Sequence, residues 1–152
     1  MLDLQAIEEI KQLKARYFRA IDTCDLATLK DTFAEDATAF FKGGNYEFTL
    51  NGWAEMEPFY AQSFTPQRFG MHHGHMPEIS VDGDTATGIW YLQDIFINLE
   101  DNTRLTGSAL YTDTYKKING EWKIFDTRYK RLFEELQKRA DTDKIVTKPV
   151  AG

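Results

Sequence analysis

The 152-residue sequence holds one cysteine and three histidines, and Lys and Arg (18 together) are outnumbered by Asp and Glu (24), for a net charge of −6. Each shortage excludes something. Cys24 has no second cysteine to pair with, so no internal disulfide forms and a reducing, cytoplasmic setting is expected. The basic residues never gather into a dominant block, which argues against a binder of phosphate backbones and so against a nucleic-acid partner. No apolar run approaches the ~20 residues of a membrane span. The start, "MLDLQAIEEIKQLK", is amphipathic and acidic, unlike a secretory leader with its basic start and apolar core. There is no internal repeat and no linker, and the length fits one domain. Aromatic residues, in contrast, are plentiful at 14%.

Along the chain, Leu4, Ile7, Ile10, Leu13, Tyr17 and Ile21 recur every three or four positions and predict a long first helix, capped by Asp3, with Lys11 and Lys14 paired to Glu8 and Glu9. "DLATLKDTFAEDA" predicts a short second helix with Leu26, Leu29 and Phe33 on its face and Asp25 as its cap. "ATAFFKGGNYEFTL" reads as a hairpin around Gly43 and Gly44, and Asn51 as the cap of a third helix. From Gly70 four long strands follow, separated by "DGD", "EDNT" and "NG". Gly88 and Gly107 inside the strands predict strong bending. Helices followed by antiparallel strands make an α+β fold, and a bent sheet around the first helix makes a cone with an open end. Aromatic residues would either line a pocket there or simply fill it. The segment 137–152 is polar and without period, and is read as an irregular tail after a domain spanning 1–136.

The three histidines fall in "MHHGHMPEI". Strand alternation sets His72 on one face and His73 with His75 on the other, so the three cannot converge on one metal, and no other His or Cys completes a ligand set. With a three-residue "DGD" loop Val81 pairs with Thr85, and His72 comes opposite Asp94; a two-residue loop would shift the register by one and pair His72 with Gln93 on the outer face. The face of Asp94 also carries Trp90, Leu92 and Phe96, so this acid sits in an apolar row and needs a partner. Tyr17 lies on the buried face of the first helix and Asp22 at its end, where the helix nears the open end of the cone. A carboxylate on one imidazole nitrogen makes the other a better base, and a phenol can hydrogen-bond to a developing oxyanion or a departing hydroxyl. On the outer face, Ile89, Tyr91, Ile95 and Ile97 predict an apolar surface that a second copy would cover.

Taken together, "AIEEIKQLKARYFRAID", "MHHGHMPEI", "TATGIWYLQD" and "ALYTDTYKKINGEWKIFDTRYKRLFEE" resemble the SnoaL-like branch of the nuclear transport factor 2-like superfamily, above all its bile acid 7α-dehydratases, and more distantly scytalone dehydratase and hexachlorocyclohexane dehydrochlorinase. The resemblance runs to about Glu135. It implies a homodimer or homotrimer, no metal or organic cofactor, and a catalytic set in which Tyr17, Asp22, His72 and Asp94 match the family's tyrosine, helix-end aspartate, base histidine and second aspartate, with Arg131 matching a family arginine. Phe41 stands where the dehydratases have a pocket tyrosine, and His73 where they have a methionine. Regions 42–50 and 98–105 match poorly, so a steroid-like substrate does not carry over with the fold. The implied activity is a lyase that removes water from a hydrophobic cyclic hydroxy-ketone or enone. An isomerase or polyketide cyclase using the same base is the alternative, and a non-catalytic binder of apolar ligands or oligomerisation module the other.

Overall fold

Asp3 starts the first helix by accepting a hydrogen bond from the amide of Ala6 at 3.0 Å, which supplies one of the orphan amides of the first turn. In the computed structural model, which describes residues 1–150, helix α1 then runs Leu4–Asp22. Its buried face holds Ala6, Ile10, Leu13, Lys14, Tyr17, Phe18 and Ile21. Leu4, expected on that face, is 70% exposed and Ile7 half-buried, because the helix enters the concave side of the sheet only after its first turn. Lys14 departs from expectation most. Rather than pairing with a glutamate at the surface, it is fully buried with Nζ 2.8 Å from Asp113 Oδ2, an ion pair by distance although not by hydrogen-bond angles. The rings of Tyr17, Phe18 and Tyr111 surround it, with the centroid of Tyr111 3.8 Å away. Burial pulls the Lys14 pKa down and the Asp113 carboxylate opposes that shift.

Helix α2, Leu26–Thr32, is capped by Asp25 as expected but ends earlier. Phe33, expected on its face, opens strand β1 (Phe33–Lys42), and its ring packs against Tyr17, Trp53 and Tyr60. Tertiary burial of that ring outweighs the helical period of "DTFAEDA". Strand β2 (Glu47–Asn51) completes the hairpin, and helix α3 spans Trp53–Ser63. Gly52, not Asn51, occupies the cap of α3. The chain turns there at φ 74°, where glycine carries no steric penalty, and Asn51 ends β2 with its amide donating to Glu55 Oε2 at 2.7 Å.

Strands β3 (Arg68–Asp82), β4 (Thr85–Asn98), β5 (Thr103–Ile118) and β6 (Glu121–Lys138) follow as a meander. The sheet order is β2-β1-β6-β5-β4-β3, antiparallel throughout except for the parallel pair β1 and β6. Asn119 and Gly120, at φ 51° and 82°, form the two-residue turn between β5 and β6, the geometry that Asn-Gly favours. β6 extends two residues into the segment read as tail; beyond it residues 139–150 form no helix or strand, while 151 and 152 lie outside the described residues. Arg139 ties the end of β6 to the β4–β5 turn through Asn102. The fold is α+β, with helices held in the concavity of a strongly curved sheet. Among the described residues no helix is long and apolar enough to cross a membrane.

The outer face keeps only part of the expected apolar surface. Ile89 and Tyr91 are 44% and 47% exposed, Ile95 is half-buried, and Ile97 is 5% exposed. Of the apolar positions expected on β4, only those in its middle are exposed.

Candidate active site

Cross-strand rows of the sheet set the site. His72 of β3 lies opposite Asp94 of β4, Asp94 opposite Gly107 of β5, and Gly107 opposite Glu134 of β6. The pairing of His72 with Asp94 is the one expected, but it arises differently. The β3–β4 turn has two residues, since Asp82 pairs with Thr85, and that register alone would miss Asp94 by one. A β-bulge between His75 and Glu78, with Met76 at φ 48°, restores it. The bulge also moves Met76 and Glu78 to exposed positions instead of the inner face of His72. His73 and His75 point outward, and His75 meets Gln93 at the surface.

Within the cone is a cavity of about 370 Å³, in the range of small-molecule sites. Tyr17, Phe41, His72, Leu92, Asp94, Phe96 and Arg131, all expected site residues, line it. Two others do not. Trp90 lies beyond the floor, because Phe18 of α1 fills the space between: the indole Nε1 donates to Tyr115 Oη at 3.0 Å, and the ring packs beneath Gly74. Asp22 lies on a second groove, between α1 and β3, that His72 and Trp90 also border.

From there Asp22 grips His72 twice. Its Oδ2 accepts the backbone amide of His72 at 3.0 Å, and its Oδ1 lies 2.6 Å from the imidazole Nδ1. In the neutral imidazole the second contact favours the tautomer whose Nδ1–H donates to the carboxylate, with Nε2 as the acceptor. Among the described residues Nε2 makes no hydrogen bond. Phe18 stacks on the imidazole with the rings 12° from parallel, and Phe64 meets it edge-on, so the ring is held on both sides. The carboxylate at the end of α1 opposes the helix dipole, a cost its bonds to His72 offset.

Asp94, 2% exposed, finds its partner in Arg131 rather than His72. Arg131 Nη1 and Nη2 donate to its two oxygens at 2.5 and 2.8 Å, a bidentate pair. Two local features allow it. A bulge in β6 between the partners of Ser108 and Ala109 turns Arg131 inward, and Gly107 leaves the path clear, since an added Cβ there would stand 2.8 Å from Nη1. Arg131 Nε also donates to Tyr46 Oη, which bonds Tyr129 Oη at 2.7 Å. Burial works against the charge of Arg131, yet the hydrogen bonds and charge of Asp94 hold its pKa above the ordinary guanidinium value.

A set of phenols on the floor was not anticipated. Tyr17 Oη lies 3.1 Å from Tyr60 Oη and 3.5 Å from Tyr111 Oη. Burial pushes all three pKa values up, so each stays a neutral donor. Carrying the register one strand further would have found Tyr111, which lies opposite Trp90; Tyr129, opposite Tyr111 on β6, is reached only through a bulge between the partners of Thr114 and Tyr115. Tyr60 comes from α3, whose orientation no strand pattern reports. Among the described residues no three His, Cys, Asp or Glu side chains are placed to hold a metal ion.

Comparison with solved structures finds the same fold in several proteins. A hexachlorocyclohexane dehydrochlorinase, LinA type 2, superposes with a TM-score of 0.81 at 18% identity, covering 95% of this chain and 97% of that one. A provisionally assigned scytalone dehydratase from Novosphingobium aromaticivorans superposes at 0.76 and 17% identity, covering 99% and 95%. A Mycobacterium tuberculosis protein of unknown function reaches 0.72 at 27% identity, covering 85% and 74%. The profile of one family, described as the SnoaL-like domain, matches residues 3–128, and the chain belongs to that family.

Proposed function

We propose that the protein is a lyase that eliminates water from a hydrophobic cyclic hydroxy-ketone or enone, drawing on its own side chains without a cofactor. The observation that carries this reading is the Asp22–His72 clamp at the wall of a largely apolar cavity that His72 lines, with no hydrogen bond at Nε2 among the described residues. In the proposed step, Nε2 takes a proton made acidic by the conjugated carbonyl. The C–H electrons form the new double bond, the C–O bond breaks, and proton and hydroxyl leave together as one water. Tyr17, kept neutral by burial, hydrogen-bonds to the departing oxygen. Asp94 acts through Arg131: both its oxygens are occupied, so it shapes and neutralises the site and does not transfer protons. Phe41, Leu92 and Phe96 supply apolar contact for the ring system. The relatives named as a dehydrochlorinase and a scytalone dehydratase support a lyase of this kind. The test is loss of water from a panel of cyclic hydroxy-ketones.

One observation also favours isomerisation. Three neutral phenols grouped on the floor would suit an enolate that is reprotonated elsewhere rather than losing a group. An unchanged mass with a moved double bond would identify that outcome, and binding without turnover would identify a ligand-binding module.

The same reading places the protein in the cytoplasm, where unpaired Cys24 stays reduced, as a homodimer or homotrimer joined over the exposed middle of β4 at Ile89 and Tyr91. Light scattering at micromolar concentration should give two or three times the monomer mass. A stable monomer would contradict the assembly.

A further inference from the structure

Lys14 and Asp113 take no part in the proposed elimination, yet both are fully buried. Neither lines the cavity, and both lie under its floor. The order of the layers is set by β5. Tyr111 faces the cavity, and Asp113, on the same face two residues further, stands about 7 Å nearer the closed end. Lys14 Nζ fits between them, 2.8 Å from Asp113 Oδ2 and 3.8 and 4.4 Å from the ring centroids of Tyr111 and Tyr17. The two charges are satisfied unequally. Asp113 Oδ1 accepts the hydroxyl of Thr127 and Oδ2 that of Tyr115, each at 2.7 Å. The ammonium makes no hydrogen bond among the described residues and is met by the ring faces of Tyr17, Phe18 and Tyr111.

A well-packed apolar pair in place of a buried ion pair is often as stable or more so, which leaves this one unexplained by stability alone. Its polarity, however, suits the floor above it. An oxygen that gains negative charge there meets the cation first and the carboxylate behind it. Burial above all, with the Asp113 charge as a smaller contribution, raises the pKa of Tyr60 and Tyr111, so Asp113 without Lys14 would work against such an oxygen. We infer that Lys14 is a positioning residue of the site: its charge, held under the rings of Tyr17 and Tyr111 by Asp113, strengthens those phenols as donors to an oxygen that turns negative on the floor. Whether that oxygen is a departing hydroxyl or an enolate rests on the lyase reading or on the isomerisation beside it.

Binding of an aromatic oxyanion tests this without turnover. 4-Nitrophenolate, held above its own pKa, spreads its charge from one oxygen into a conjugated system as an enolate does, and 4-nitrotoluene has nearly the same shape without the charge. Titration calorimetry gives the ratio of the two affinities. Lys14→Met, similar in volume and neutral, should lower the ratio by about tenfold or more while 4-nitrotoluene binds as before. Lys14→Met combined with Asp113→Asn strands no carboxylate. Its thermal stability should return toward that of the wild type, with the ratio still at least about threefold down. Because no turnover enters, failure to release water from any hydroxy-ketone would leave this result standing. A ratio unchanged by Lys14→Met would overturn the assignment, as would no binding of 4-nitrophenolate. A ratio restored in the double variant, or an equal loss of both ligands, would overturn it too by reducing Lys14 to a purely structural part.

Discussion

Replacing His72 by alanine is expected to lower turnover by about 10²–10⁴-fold, the range that positioned general acid–base groups contribute, while ligand affinity changes little. The separation follows from the geometry. Nε2 meets an acidic proton only as the C–H bond breaks, so its contribution falls on the transition state, whereas the rings of Phe41, Leu92 and Phe96 grip ligand and transition state alike. Asp22→Asn should bring a comparable loss with the fold intact, because an amide in place of the carboxylate no longer fixes the Nδ1 tautomer. Steady-state kinetics beside titration calorimetry reads both quantities. A fall in affinity equal to the fall in turnover would mean that His72 serves only to bind.

Asp94→Asn is expected to destabilise the protein by about 3–5 kcal/mol, the cost of leaving a buried charge without its partner. Arg131 would keep its charge while facing an amide group that donates as well as accepts, inside a wall where the carboxylate was 2% exposed. For a chain of this size the loss corresponds to a fall in Tm of roughly 6–20 °C. Replacing both partners, Asp94→Leu with Arg131→Met, should recover most of the stability, since a well-packed apolar pair avoids the desolvation cost. Thermal unfolding of the single and double variants checks it. A single variant within 1 kcal/mol of the wild type would show that water reaches and screens the pair.

Residues whose faces follow a period were legible in the sequence: the α1 stripe through Ile10, Leu13, Tyr17 and Ile21, and the inner row of Leu92, Asp94 and Phe96. Residues whose placement depends on a break in the period were not. Arg131 turns inward through a bulge that alternation cannot report, and His72 reaches Asp94 because a short turn and a bulge compensate each other. Trp90 obeyed alternation yet lies outside the cavity, since the pattern gives a face and not the depth at which Phe18 closes it. Lys14 went unseen for a related reason. A lysine beside glutamates on a helix reads as surface charge until Asp113, a hundred residues on, is brought beneath it. The expected need for a partner at Asp94 was sound chemistry, but the partner came from the far strand.

The central claim is that His72 removes a carbon-bound proton to start an elimination. The most direct measurement uses a cyclic β-hydroxy-ketone deuterated at the carbon between carbonyl and carbinol, incubated with wild-type protein and with His72→Ala, and followed by mass spectrometry. The wild type should release the deuterium to solvent together with one water, the reaction should slow when deuterium replaces hydrogen, and the variant should do neither above background. Water loss that proceeds equally in His72→Ala, or that leaves the deuterium in place, would contradict the mechanism.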